Sequence, residues 1–195
     1  IAPDFAMDSD PILPERKSVK AYSAKYLPLW IEAAGRPEAD LQRLAATSVA
    51  QAHIEGIPNM IQAKPALARI LAAKESHPAA RFTAARALIV LEAKDSAPEL
   101  WQSAREHGSD IRQLIEPALA AWKYEPAYEA WRQRLSSAEV THRDLMLALR
   151  CLGETRDQTA VPQLLVIMHA AQRLDAERLA AARAAAQNKD ADLEG

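Results

Sequence analysis

One eight-residue pattern recurs five times along the chain, and this repetition limits the possible folds more than any other feature. Each copy places small residues beside Leu, Val or Ala at helical spacing, and the final pairs start at residues 49, 87, 118, 148 and 184. Successive copies are therefore 38, 31, 30 and 36 residues apart. Such a period, with two helices in each unit, is typical of an α-solenoid, in which each helix pair stacks on its neighbours. The copies are Arg43–Ala50, Arg81–Leu88, Arg112–Leu119, His142–Leu149 and Arg178–Ala185.

The composition agrees with an all-α fold. Gly occurs only 5 times in 195 residues, and Ala, Leu, Glu, Gln and Arg are abundant. Ala and the straight-chain residues lose the least entropy on entering a helix, whereas a sheet would need more β-branched and aromatic residues. The sequence therefore predicts an all-α superhelix, a solenoid of about five helix-pair repeats.

Each unit is expected to contain a second helix after a short polar turn. Ser96 and Glu99 form a capping-box pattern in the second repeat, and Pro98 falls in the first turn of the helix that follows. In the fourth repeat, Gly153 is predicted to take the left-handed conformation that ends the first helix. Pro65 is expected to interrupt the second helix of the first repeat.

The two ends of the chain differ from the repeats. Residues 1–22 contain three prolines and show no apolar period, which predicts an extended N-terminal arm. A short helix over 24–34 is expected to cover the first repeat, since solenoids need terminal caps. The repeat domain is placed at 23–187, its fifth unit having only a first helix, and a polar tail at 188–195.

Several segments resemble HEAT repeats, and in particular the bacterial HEAT-like repeats first named for phycobiliprotein lyases. Leu152–Gly153, Arg156–Asp157 and Ala160–Leu165 look like the turn and second helix of that motif, and Arg81–Leu88 looks like its first helix. The resemblance covers residues 38–187. It implies a right-handed superhelix with one concave and one convex surface, and it carries no shared catalytic residues.

The arrangement of arm, short aromatic helix and Ala-rich repeats is also similar to that of exported HEAT-repeat proteins of bacteria. The start at Ile1 and the proline-rich first residues favour export after removal of a signal peptide, and a cytoplasmic location is the alternative. No stretch approaches the roughly 18 apolar residues that could span a bilayer.

No constellation of residues in the sequence points to catalysis. No two of the five histidines lie four residues apart, so a helical zinc site has no ligand pair. For the single cysteine, Cys151, a buried inert thiol is favoured over a reactive one. The sequence therefore predicts no catalytic residue, no cofactor and no metal site.

Aromatic residues are the candidate binding residues. Tyr124, Tyr128 and Trp131 lie at i, i+4 and i+7 and share one helix face, and Trp101 and Trp122 could lie nearby. Exposed Tyr and Trp make good anchors for a partner because they bring a large area with few rotatable bonds. The other interpretation is that this stripe packs between repeats.

Arginines concentrate in the fourth and fifth repeats. They could pair with nearby acidic residues along a solvated face, or they could line a groove for an acidic partner. The arginines are Arg143, Arg150, Arg156, Arg173, Arg178 and Arg183. The acidic residues are Glu154, Asp157, Asp175 and Glu177.

Three functions follow from these observations. The first is a non-catalytic protein-binding scaffold or accessory subunit, whose partner is another protein or a larger protein complex. The second, based on the repeat similarity alone, is a chromophore lyase-like enzyme or small-ligand chaperone. The third, a nucleic-acid binder similar to HEAT-like DNA glycosylases, is disfavoured because the net charge is -2 and acids and bases are interspersed. We therefore expect no nucleic acid among the partners.

Overall fold

The protein is all-helical in a computed structural model that describes residues 22–189. These residues form ten α-helices and no strand, which confirms the predicted all-α class. Apart from its last residue, the predicted arm at 1–22 lies outside the described residues, as do residues 190–195 of the predicted tail.

The helices follow one another with short connections. They are α1 (Leu27–Ala34), α2 (Ala39–Ile54), α3 (Lys64–Ala72), α4 (Pro78–Val90), α5 (Ala97–Glu106), α6 (Ser109–Ala121), α7 (Tyr128–Ser136), α8 (His142–Thr155), α9 (Val161–His169) and α10 (Asp175–Lys189). The first of them continues a short 3-10 turn, Ala24–Tyr26, and ends at Gly35, so the helix predicted over 24–34 is confirmed. Within residues 22–189 no helix is long and apolar enough to cross a bilayer.

Contacts between helices follow their order in the chain. Helices α2, α4, α6, α8 and α10 form a row in which each contacts the next, and we call them the first helices. Each of the second helices, α3, α5, α7 and α9, contacts the first helix that follows it. At the N-terminal end α1 lies against α2 and α3. Each helix therefore packs mainly against helices one or two places away in the chain.

The turn after the first helix repeats the same backbone geometry in four places. Gly56, Glu92, Lys123 and Arg156 all have positive φ, at 79, 50, 55 and 57°. In the first three turns, the amide of the next residue donates to a carbonyl five residues earlier at 2.9–3.0 Å, which closes the helix end. A 3-10 turn then leads into each second helix. Because three of the four residues are not glycine, their left-handed conformation is a shared structural feature of the units.

Gly153 does not end α8, so that part of the sequence prediction was wrong. The residue is helical and buried, and the left-handed position belongs to Arg156. A Cβ atom on Gly153 would lie 3.1 Å from the Cα of Ala184 in α10. The absence of a side chain is thus needed for the close approach of α8 and α10, and not for a turn.

The predicted capping box is also absent. Ser96 makes no capping hydrogen bond because it belongs to the 3-10 turn Lys94–Ser96 and has φ -90° and ψ 10°, whereas a capping residue is extended. Pro98 does fall in the first turn of α5. Pro65 lies in the first turn of α3 and starts that helix, so the predicted interruption was wrong. Side-chain caps occur instead at His77 and Thr141.

Helix α10 extends beyond the predicted boundary of the tail. Asn188 is buried in its last turn, where its side-chain amide donates to the carbonyl of Ala184 at 2.8 Å and of Leu152 at 3.4 Å. The bond to Leu152 ties α10 to α8. Residues 188 and 189, which the sequence assigned to the tail, therefore belong to the helix, and the contact with α8 stabilises its last turn.

Candidate functional site

The five aromatic candidates lie around the third unit, and two of them are buried. Trp131 has no exposed surface and Trp101 is 9% exposed. Trp122, Tyr124 and Tyr128 are half-buried and pack against the core. The rings of Tyr128 and Trp131 stack with their centroids 5.6 Å apart, so these two do share a face, and that face points inward. Tyr124 has an extended backbone and precedes the 3-10 turn before α7, so its predicted place on the same helix face was wrong.

Trp131 is held by a buried carboxylate that the sequence reasoning missed. Its indole N–H donates to Glu116 at 3.0 Å, and Glu116 is fully buried in α6. Arg134 donates to both oxygens of the same carboxylate, at 2.6 and 2.7 Å. Burial alone would lower the pKa of Arg134, but the hydrogen bonds and charge of Glu116 raise it above its usual range. The network joins α6 to α7 through a paired, hydrogen-bonded charge.

The five aromatic candidates differ in how much of each side chain is accessible to a partner. Trp131 offers no accessible area to a partner, so its role is packing between α6 and α7. For Trp122, Tyr124 and Tyr128, part of each ring is accessible and partner binding stays a prediction. Trp101 lies at the edge of a cavity described next.

A cleft of about 450 Å³ separates α5 from α7 and reaches the start of α8. Trp101 and Arg105 line its α5 side, and Arg134 lines its α7 side. Arg112 enters from α6 and lies 3.5 Å from Asp144. Most cations of this α5–α7 cleft are thus already paired with carboxylates of the protein itself.

A larger groove of about 650 Å³ runs between α8 and α10 and is called the α8–α10 groove below. Its floor is apolar and includes Met146, Leu147 and Leu149 of α8 and Ala180 and Ala184 of α10. Its polar lining consists of Gln113, His142, Arg143, Arg150, Glu154, Arg183 and Gln187. The groove therefore combines an apolar floor with a rim on which cations outnumber carboxylates.

The arginines of the last two units do not share one role. Arg178 pairs with the exposed Asp175 at 3.2 Å, as the solvated-face interpretation predicted, whereas Arg173 pairs at 3.5 Å with Glu177, which is buried. Arg150 and Arg183 are exposed and make no ion pair or hydrogen bond to any other described residue. Both line the groove between α8 and α10, and binding of an acidic partner there stays a prediction.

A smaller hollow of about 160 Å³ continues the groove towards α6. It shares Arg150 and Glu154 with the groove and is lined further by Pro117 and Cys151. Burial raises the pKa of the Cys151 thiol, so the thiol stays protonated at neutral pH. The buried position agrees with the inert role favoured from the sequence.

Two histidines, His142 and His77, make contacts that stabilise the fold. His142 Nδ1 lies 2.8 Å from a carboxylate oxygen of Glu177, and His77 accepts a hydrogen bond from the amide of Ala79 at the start of α4. Among residues 22–189, no group of three or more His, Cys, Asp or Glu side chains could hold a metal ion.

No protein-family model matches the chain, and no curated protein is significantly similar to it. The likeness to HEAT repeats therefore depends on the motifs quoted above, and the functional argument depends on the geometry of these surfaces.

Proposed function

We propose that the protein is a non-catalytic protein-binding scaffold or accessory subunit, folded as a HEAT-like α-solenoid of about five helix-pair repeats. The observation that carries this proposal is the serial packing of the helices, in which each first helix contacts the next one. The four left-handed turns, at Gly56, Glu92, Lys123 and Arg156, support a repeated unit because they occupy the same place in each helix pair.

A serial stack of this kind favours binding of a macromolecule. Successive helices leave elongated grooves between them, and a row of helices presents these grooves along one continuous surface. The buried carboxylates Glu116, Asp144, Asp157 and Glu177 all bond to neighbouring parts of the fold. Their contacts explain them as packing groups, and the accessible grooves are left for recognition.

Site-specific photo-crosslinking of the full chain in its source cells tests this proposal. A photoreactive residue at Ala180, in the α8–α10 groove, is expected to join the chain to one defined protein. The same residue placed at the exposed Ala79 of α4, away from the grooves described above, is the control. A chain that forms no crosslink to another protein from any groove position would contradict the scaffold function.

A chromophore lyase-like enzyme or small-ligand chaperone is the second candidate, and the volume of the α8–α10 groove favours it. At about 650 Å³, the groove falls within the range of about 300–1,000 Å³ typical of small-molecule pockets. Titration with a bilin, followed by quenching of tryptophan fluorescence, tests this candidate. Saturable quenching that is lost on substituting Ala180→Phe would favour it over the scaffold.

A further inference from the structure

We propose that the α8–α10 groove binds an acidic amphipathic helix of a partner protein. This inference rests on the proposed scaffold function and names the surface and the chemistry of the partner. It is carried by two features that coincide in this groove, an apolar floor and exposed arginines that have no partner among the described residues.

The floor of the groove suits apolar side chains. Ala180 of α10 is small and half-buried and leaves space beside Met146, which is half-buried in α8, whereas Ala184 is buried against Gly153. Leu147 and Leu149 are buried beneath and already belong to the core. Leu or Met side chains of a docked helix would therefore extend the existing core outward and remove apolar surface from water.

The rim of the groove selects for negative charge. Arg150 and Arg183 are exposed and lack an ion pair to any residue in 22–189, so each is available to a carboxylate. Arg143 pairs with Asp110, whose side chain is 83% exposed, and such a surface pair gives little stability and can be exchanged. Glu154 is the one carboxylate in the lining, while the whole chain has a net charge of -2. The charge of the groove thus departs from that of the chain and is complementary to an acidic segment.

The shape of the surface favours a peptide segment over a small anion. The hollow towards α6 continues the groove past Arg150 and Glu154, so the recessed surface crosses three helices. A helix that places apolar residues at i, i+3 or i+4, and i+7 can fill an elongated groove, with Glu or Asp on its flanks facing the arginines. A nucleic acid would require cations along a phosphate track, and the apolar floor gives it no matching contact.

A synthetic peptide tests the inference on the full chain. The probe is a fluorescein-labelled amphipathic peptide about two heptads long, with Leu on one face and Glu on its flanks. The matched probe carries Gln in place of every Glu. Fluorescence anisotropy is expected to show that the Glu peptide binds about tenfold or more tightly than the Gln peptide, and that added salt weakens the binding.

Variants then place the binding site. The double substitution Arg150→Glu and Arg183→Glu is expected to weaken binding of the Glu peptide by about tenfold or more. Ala180→Trp fills the floor and is expected to weaken binding of both peptides, which would separate the apolar from the charged contribution. Arg86→Glu is the matched control, since Arg86 is an exposed arginine on the first helix α4, and it should change binding by less than about twofold. Circular dichroism and the thermal midpoint confirm that each variant is folded.

Three outcomes would overturn the inference. These are no measurable binding of either peptide, equal binding of the Glu and Gln peptides, and equal weakening by Arg86→Glu and by the double substitution. The scaffold proposal would survive such a failure if photo-crosslinks at other grooves still captured one defined protein. If those crosslinks were absent as well, both proposals would fail.

Discussion

The N-terminal helices, α1 to α5, and the C-terminal helices, α6 to α10, are held together by different means. In the N-terminal region, α2 and α4 pack closely and are rich in buried alanines such as Ala46, Ala84 and Ala85. All four buried carboxylates of the described residues lie in the C-terminal region, and each bonds to a neighbouring helix or turn. They are Glu116, Asp144, Asp157 and Glu177.

This difference predicts that the two regions respond to different perturbations. An alanine-packed junction depends on volume, because interiors are close-packed and any added methylene must be accommodated. A junction with a buried carboxylate depends on its partners, since an unpaired buried charge is strongly unfavourable. No side-chain hydrogen bond or ion pair joins residues 78–107 to residues 108–137, both of which lie within the described part of the chain. The boundary between the regions falls there, beside the α5–α7 cleft.

The largest effect is expected for Glu116→Ala. Its loss leaves the half-buried Arg134 and the indole N–H of Trp131 without their carboxylate, which should lower the free energy of unfolding by about 3–5 kcal/mol. Urea unfolding followed by circular dichroism measures the change. Glu99→Ala, at an exposed position of α5, is the control and should change stability by less than about 0.5 kcal/mol. Equal effects of the two substitutions would remove the distinction between the regions.

In the N-terminal region, the corresponding test is a change of volume. Ala84 is fully buried in α4, so Ala84→Leu should lower the free energy of unfolding by about 1–3 kcal/mol through overpacking. Ala79→Leu, at an exposed position of the same helix, is the matched control. The same urea titration measures both variants. If Ala84→Leu left the free energy of unfolding unchanged, the interface between α2 and α4 would not be close-packed.

The buried thiol of Cys151, in the C-terminal region, should make the stability of the fold depend on pH. Burial raises the pKa of its thiol, so the folded protein keeps this proton at a pH where the unfolded chain loses it. Unfolding is therefore increasingly favoured as the pH rises above the ordinary thiol pKa of about 8.5, and the loss reaches about 2 kcal/mol at pH 10. Cys151→Ala should reduce the fall in stability between pH 7 and pH 10 by this amount. The same fall in wild type and variant would contradict the assignment.

A smaller effect is expected where the third and fourth units meet. Asp157 accepts a hydrogen bond from the amide of Thr159 at 3.1 Å and pairs with Arg132. Asp157→Ala should therefore lower the free energy of unfolding by about 1–2 kcal/mol. The N-terminal counterpart is Asp95, which pairs with Lys64 at an exposed position. Asp95→Ala should have a smaller effect than Asp157→Ala when thermal midpoints are compared. The reverse order would mean that burial does not decide the strength of these pairs.

The helices and their order could be predicted from the sequence because the signals are local. Apolar residues recur at helical spacing within each unit, and Pro98 marks the first turn of a helix. Gly153 shows where local reasoning stops, since glycine after a helical stretch usually ends it. Here its role depends on Ala184, which lies 31 residues later and packs against it. Ser96 failed as a cap for a related reason, because a 3-10 turn had already replaced the extended backbone that capping requires.

The candidate surfaces were predicted in part. The spacing of Tyr128 and Trp131 predicted correctly that they share a face, but it wrongly included Tyr124, which precedes the helix with an extended backbone. Spacing alone also cannot show whether a face points inward. Glu116 escaped notice because a carboxylate on an apolar helix face is interpretable only once its partners in α7 are known. For the arginines, the sequence left pairing and groove formation open. In the structure Arg173 pairs with Glu177, whereas Arg150 lines the groove without an ion pair. The outcome depends on which carboxylates lie within reach of each arginine.

Native-state hydrogen exchange on wild type and Glu116→Ala tests most directly whether the helices form a serial stack of separable units. If each unit depends mainly on its neighbours, amides of α6, α7 and α8 should lose protection in the variant while those of α2 and α4 keep wild-type protection. An equal loss of protection in α2, α4 and α6 to α8 would show a single cooperative unit and would contradict the account.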